Sequence, residues 1–434
     1  MSLAAIGGIG IAALLFILFF LGTPVGFAMA MVGFAGFWYI ISLPAALNML
    51  GTALWETFSK YGLTVIPLFI LMGQIAFHSG VNEKLYRAAY QWVGHIRGGL
   101  AMATVMACAA FAAICGSNAA TAATMTTVAL PEMKKYRYNP KLGTGAIACG
   151  STLGVVIPPS VVLIVIGLST EQSIARLFYG GIGAGGLLAL LMVLSVAVIC
   201  RIHPDWGPAG PRASLRDKIR SLTGAMEMIL LFGLVMLGLS LGFFTPAEAG
   251  AAGSFFAVLI GAVQRRLSLK GLVAAMEETL RISCMVIMIV AGAVIFGRFL
   301  AVTRIPYDIA TWVVGLPVPP MVIMAIIFTI FIIGGAVMDA LALLLITIPI
   351  FFPVASKLGY DPIWFGVTIT VVTTLGAVTP PVGATTFVVG GMARDVPLED
   401  VFRGVAWFLP AYLICLLIMM AFPAVVTFLP DLIR

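Results

Sequence analysis

The sequence predicts an all-α polytopic membrane protein built as an inverted repeat, each half carrying one re-entrant helical hairpin. Three observations predict it. The 434 residues are 62% hydrophobic and only 9% charged, with a mean hydropathy of +1.14; a soluble domain is about one-quarter charged and could not cover its surface with so few charges. Apolar runs long enough to cross a bilayer recur from end to end. Glycines and prolines of the first half return at one fixed offset in the second.

In chain order the expected spans are 4–22, 25–41, 62–78, 98–131, 141–168, 177–200, 221–243, 247–263, 280–297, 317–353, 362–392 and 405–430. The first lacks the basic start of a cleaved secretory signal and reads as a retained membrane helix. The runs 98–131 and 317–353 are too long for one crossing. They break at Cys115-Gly116-Ser117-Asn118 and at Gly334-Gly335-Ala336. Such breaks suggest hairpins that turn back inside the membrane, where irregular backbone survives only against protein or a water-filled cavity. The small residues of the first break also suit a helix-packing seam. Asp339, beside the second, is either an ionisable group placed for function or a cap on the returning helix.

The runs 141–168 and 362–392 each contain a proline pair, Pro158-Pro159 and Pro380-Pro381. A pair removes two amide donors and displaces their carbonyl partners, so both helices should unwind there rather than merely kink. Ser160, Thr379, Thr385 and Thr386 are the nearby hydroxyls. Segments 82–96 and 307–314 mix aromatic, charged and apolar residues ahead of each hairpin and read as interfacial helices, either braces or plain connectors. Phe244-Thr245-Pro246-Ala247-Glu248-Ala249 starts a helix, with Thr245 as N-cap, Pro246 at N1 and Glu248 at N3. Segment 203–220 reads as a basic, Pro-rich connector between the halves.

With the two hairpins non-crossing, ten crossings remain. Loops around 84–97, 134–141, 201–220, 265–270 and 394–403 hold seventeen of the 24 Lys and Arg. The opposite side holds six: Lys60, Arg176, Arg298, Arg304, Lys357 and Arg434. The basic-rich side should be cytoplasmic, which puts both termini outside. These cations form no face that could track phosphates, so the net charge of +7 does not indicate nucleic acid.

Cys108, Cys115, Cys149, Cys200, Cys284 and Cys415 are scattered through apolar stretches and read as small hydrophobes. With His78, His95 and His203 far apart, a metal-ligand cluster is not expected. No extramembrane stretch could hold a catalytic domain, and no GxxxxGK[ST] motif is present, so ATP does not drive the protein directly. An enzyme is not expected: an intramembrane protease would want a second aspartate level with Asp339, but Asp308 and Asp361 lie at span ends. An ion channel, which needs a continuous polar path, is a remote alternative.

The repeat is the strongest signal. Pro131 pairs with Pro353, Pro140 with Pro362, Gly154 with Gly376, Pro158 with Pro380 and Pro159 with Pro381, each pair 222 positions apart. Ser117 and Asp339 share that offset. Because the hairpins open from opposite sides, the halves are inverted, the architecture of secondary transporters with sites near the midplane. Each break frees carbonyls that can replace a cation's water shell, while helix N-termini aimed at one point favour a carboxylate.

These residues together resemble the large membrane (M) subunit of tripartite ATP-independent periplasmic (TRAP) transporters. The resemblance rests on 154–160 (GVVIPPS), 379–383 (TPPVG), 244–249, the GSNAAT tip at 116–121 and the GAVMD tip at 335–339. Ala247 departs from the family's TPTEA pattern without touching the capping residues. The resemblance implies an elevator of the divalent-anion:sodium symporter type in a bacterial inner membrane. Scaffold parts with arm helices would occupy 1–97 and 221–316, transport parts 98–200 and 317–434, and a cytoplasmic linker 201–220. It implies sodium-coupled uptake of an organic anion, such as a C4-dicarboxylate, sialic acid or another sugar acid. A small four-helix membrane subunit (Q) and a periplasmic binding protein (P) would be partners; a stand-alone symporter is the alternative.

Carried over by position, one sodium would use Ser117, Asn118, Gly154, Pro158, Pro159 and Ser160. The other would use Gly334, Gly335, Asp339, Gly376, Thr379, Pro380 and Pro381. The substrate carboxylate would lie between the tips, near Ser117, Asn118, Thr121, Gly335 and Thr385. Sodium is the only metal implied, as a coupling ion, and no cofactor is implied. No arginine stands at either tip.

Overall fold

A computed structural model describes residues 2–432. Among them the chain is helical throughout, without strands. The first half runs α1 (Leu3–Phe20), α2 (Val25–Ile40), α3 (Leu43–Ser59), α4 (Val65–His78), α5 (Val81–Val93), α6 (Gly99–Cys115), α7 (Asn118–Lys135), α8 (Pro140–Ser151), α9 (Val161–Thr170) and α10 (Ile174–Ile202). The second runs α11 (Leu215–Ser240), α12 (Pro246–Val263), α13 (Leu269–Thr303), α14 (Ile305–Val314), α15 (Pro320–Gly335), α16 (Ala340–Lys357), α17 (Pro362–Val378), α18 (Ala384–Met392), α19 (Leu398–Ala406), α20 (Leu409–Ala421) and α21 (Ala424–Asp431).

The 222-residue offset governs far more of the chain than its prolines. Shifted by it, α7 falls on α16 residue for residue, α6 on α15, α9 on α18, α5 on α14 and α2 on α12. α3 and α4 together fall on α13, a single helix of 35 residues. The packing repeats as well: α2 lies against α13, and its counterpart α12 against α4. A lipid-facing exterior follows from composition. Phe16, Phe20, Trp38, Leu230, Leu237, Phe255 and Ile333 are all exposed, a surface that water would not tolerate on this scale.

Several expectations need correction. Helix α3 stands in a gap left between 41 and 62; its Asn48, Thr52 and Glu56 hide it from a hydropathy reading, while Ser42 and Pro44 start it. The expected linker 201–220 is shortened at both ends by α10 and α11, leaving 203–214 between them. The span 280–297 is the middle of the longer α13, and 405–430 is broken by Trp407-Phe408 and Phe422-Pro423 into pieces of α19, α20 and α21. Among the described residues eight stretches are long and apolar enough to cross a membrane, against ten crossings expected. One of the eight is α16, a hairpin arm. The discrepancy arises because α2 is 16 residues long and the two proline-paired spans are interrupted helices.

The ion pairs respect the division of basic residues. Lys84 and Arg266 pair with Glu227, Lys134 with Asp395 and Lys141 with Asp400, all from loops of the basic-rich set. Arg176 with Asp431 and Arg298 with Glu56 belong to the other. No pair joins one set to the other among these six. Cys108, Cys149, Cys200 and Cys415 are buried as expected, but Cys284 is exposed; the Cys115 side chain and Arg434 lie outside the described residues.

Candidate functional site

The first hairpin turns at Gly116, which caps α6 in the left-handed region at φ 61°. Ser117 then caps α7: its Oγ accepts from Ala120 N at 3.5 Å, and its carbonyl accepts from Thr121 Oγ1 at 2.7 Å. Across from this tip, α8 tightens into a 3₁₀ turn at Thr152–Val155 and then unwinds through Pro158 and Pro159, joined by a cis peptide bond. Ser160 closes the break by donating to Val155 O at 2.5 Å and accepting from Leu163 N at 3.3 Å as the cap of α9.

Tip and break meet at Gly154. A Cβ there would lie 2.9 Å from Ser117 O and 3.2 Å from Thr121 Oγ1, so only glycine lets the hairpin backbone seat this closely. One group at this junction is unsatisfied: Asn118 Oδ1 is buried with no hydrogen-bond partner. An orphaned buried acceptor costs about 1–3 kcal/mol unless something donates to it or coordinates it.

The second repeat reproduces the arrangement with different local devices. The sequence suggests that Gly334 and Gly335 supply the turn, but both are the last residues of α15, and the chain turns through Ala336, Val337 and Met338. Gly335 is needed instead for packing, since its Cα lies 2.7 Å from where a Cβ on Gly376 would stand. Gly376 is itself helical, because α17 continues to Val378 and unwinding begins only at Thr379. There Thr379 Oγ1 donates to Leu375 O, and Pro380-Pro381 is again cis. Val382 N and Gly383 N donate to Ala336 O at 3.2 and 3.0 Å, tying the loop to the tip. Thr386 Oγ1 donates to Val378 O at 3.0 Å.

Asp339 is the N-cap of α16, accepting from Leu341 N at 2.9 Å. It is also exposed to the cavity between the tips. The two sequence readings of Asp339 are thus compatible: it caps the returning helix and presents a carboxylate inside the bundle.

That cavity, about 120 Å³, is lined by Ser117 and Asn118 of the first tip and Asp339 of the second. The opening residues of three helices face it: Asn118 and Ala119 of α7, Val161 and Val162 of α9, and Ala340 and Leu341 of α16. Helix N-termini carry unpaired amides and partial positive charge. Gln74 of α4 and Ile282, Met285 and Val286 of α13 form the opposite wall. Gln74 was not singled out from sequence, although a lone amide within an apolar span is itself a signal. No arginine, lysine or histidine is among the described lining residues. Thr121, Gly335 and Thr385 are buried and are not among the residues that line the cavity. Pro158 and Pro159 are buried, whereas Pro380 and Pro381 are exposed.

Comparison with known proteins gives the architecture a context. A solved structure, "Crystal structure of the Alcanivorax borkumensis YdaH transporter reveals an unusual topology", superposes with a TM-score of 0.63 at 17% identity, covering 88% of this chain and 90% of that one; the likeness is one of fold. The C4-dicarboxylate TRAP transporter large permease protein DctM of Pseudomonas aeruginosa is 36% identical over 89% of this chain and 90% of its own. The sialic acid TRAP transporter large permease protein SiaM of Vibrio cholerae is 30% identical over 96% of each. The profile of the family described as "Tripartite ATP-independent periplasmic transporter, DctM component" matches residues 12–425. The chain belongs to that family, as a large permease subunit of TRAP transporters.

Proposed function

We propose that the protein carries out sodium-coupled uptake of an organic anion, moving it by an elevator motion of the part that holds both hairpins. The observation that carries this reading is the composition of the central cavity. Three helix N-termini converge on it and favour an anion, yet its one charged side chain is the carboxylate of Asp339 and no basic residue is among those lining it. An organic anion placed there needs cations bound with it. The orphaned Asn118 Oδ1 and the carbonyls around each break are suited to supply their ligands.

In this reading one sodium is held by Ser117 and Asn118 against Gly154, Pro158, Pro159 and Ser160. The other lies where Gly334, Gly335 and Asp339 meet Gly376, Thr379, Pro380 and Pro381. The substrate carboxylate sits between the tips, with Thr121, Gly335 and Thr385 shaping the wall behind it and Gln74 facing it from the scaffold.

Each elementary charge driven inward by 100 mV gains about 2.3 kcal/mol. Two sodium ions entering with one monovalent anion import net positive charge, so the membrane potential assists uptake. Family membership supports a small membrane subunit and a periplasmic binding protein as partners, the latter delivering substrate. It also supports a bacterial inner membrane, with both termini periplasmic on the charge distribution.

The test is uptake into proteoliposomes of the chain co-purified with its small subunit, across C4-dicarboxylates and sugar acids, with and without a sodium gradient and the binding protein. Uptake requiring both establishes the tripartite reading. Sodium-driven uptake without the soluble protein makes the chain a stand-alone symporter, and sodium-independent uptake refutes the coupling.

A further inference from the structure

Away from the central cavity, a polar cleft of about 860 Å³ opens between α5, α11 and the end of α12. Its charges are unbalanced. Glu227 is met by Lys84 at 2.9 Å and by Arg266 at 3.9 Å. Asp217 accepts from Ser214 Oγ at 2.6 Å at the start of α11. Arg87 on α5 and Arg220 on α11 line the same cleft, and among the described residues neither guanidinium group has a hydrogen-bonding or ion-pair partner. Two guanidinium groups facing one cleft from different helices are suited to grip a phosphate, for which the planar fork is pre-organised.

The depth of the cleft selects the source of that phosphate. α11 is charged up to Arg220 and carries no charge after Glu227. α12 carries none from Ala249 to Val263, and Arg265 and Arg266 follow. The cleft therefore lies at the seam between polar ends and membrane-crossing apolar helix, which is the headgroup layer. Ile219, Met226, Leu230 and Val263 are exposed beside it, apolar surface along which acyl chains can run. Its volume falls within the range of about 300–1,000 Å³ that holds a small ligand group.

We propose that this cleft is a binding site for the phosphodiester headgroup of an anionic phospholipid, gripped by Arg87 and Arg220 and flanked by Lys84 and Arg266. The site couples α5, which packs on the first hairpin, to the α11–α12 pair, so an occupied cleft ties the arm helix to the membrane surface.

Full-length protein in neutral detergent, titrated with phosphatidylglycerol or phosphatidylcholine and followed by native mass spectrometry, tests this. Wild type should retain phosphatidylglycerol with a preference of about tenfold or more, since each cation near a phosphate layer is worth roughly fivefold. Arg87→Gln with Arg220→Gln should abolish the preference, and Arg212→Gln with Arg394→Gln, equal in charge removed, should keep it. Equal retention in wild type and the cleft variant overturns the proposal. So does complete displacement of the lipid by excess inorganic phosphate, which would mark a site for free phosphate. A photoactivatable phosphatidylglycerol on the wild-type protein gives a second reading that does not depend on variant folding. Adducts on α5 and α11 are expected; adducts confined to other helices refute the assignment.

Discussion

Replacing Gly154 by alanine tests whether the seating of hairpin on broken helix is what sets ion affinity. The added Cβ would stand 2.9 Å from Ser117 O, 3.0 Å from Ser117 C and 3.2 Å from Thr121 Oγ1. Two of the three are backbone atoms that cannot rotate away. Ordinary contact begins at 3.4 Å, so the tip must retreat by about 0.5 Å, the tolerance within which a binding constellation has to be held. Overpacking of this kind costs about 1–3 kcal/mol. With about 1.4 kcal/mol per decade, the sodium concentration for half-maximal uptake should rise roughly tenfold. The assay is uptake in proteoliposomes across a sodium series, at matched protein density. Gly186→Ala is the control, because nothing lies within 4 Å of its added carbon. Gly376→Ala should behave like Gly154→Ala: alanine gains about 1 kcal/mol of helix propensity there, but its Cβ would stand 2.5 Å from Ile332 O, and the collision wins. Sodium activation of Gly154→Ala that overlays Gly186→Ala would refute the steric argument and the assigned site with it.

Three further outcomes are expected. Asp339→Asn preserves a good N-cap while removing the cavity's charge, so sodium-dependent uptake should weaken without a fall in Tm; Ser117→Ala should weaken it too, at about 1 kcal/mol of cap stability, and normal sodium activation in both would remove these residues from the ion sites. Tyr412→Phe deletes a buried hydroxyl lying 2.6 Å from Thr152 Oγ1 and 3.3 Å from Cys149 O; thermal unfolding should show a loss of about 1 kcal/mol with transport retained, and an unchanged Tm would mean that the bond contributes nothing. In a cysteine-free background, Lys60→Cys should react with an impermeant maleimide on intact cells and Arg212→Cys only after permeabilisation; the reverse pattern inverts the orientation assigned from charge.

The sequence by itself determined the class and the repeat. Hydropathy is a property of windows, so the apolar spans and the breaks in 98–131 and 317–353 are visible without coordinates. Proline pairs have local consequences wherever they stand, so the unwinding near Pro158 and Pro380 could be placed to within a few residues. Capping is equally local: Thr245, Pro246 and Glu248 form the expected capping box, with Glu248 accepting from Thr245 N at 2.8 Å.

Tertiary structure decided what depends on which surfaces meet. Gly335 and Gly376 look like turn or unwinding residues from sequence. They are helical glycines because two backbones pass too closely there for any Cβ. Gln74 and the α13 wall enter the site from more than forty residues away along the chain, and no periodicity announces such a partner. α3 and α19 were obscured because helices that pack at an amphipathic boundary need not be apolar throughout. Convergence of three helix N-termini on one cavity is a fact of packing, arising because each hairpin seats on the broken helix of its own repeat and the two repeats then face each other across Asp339.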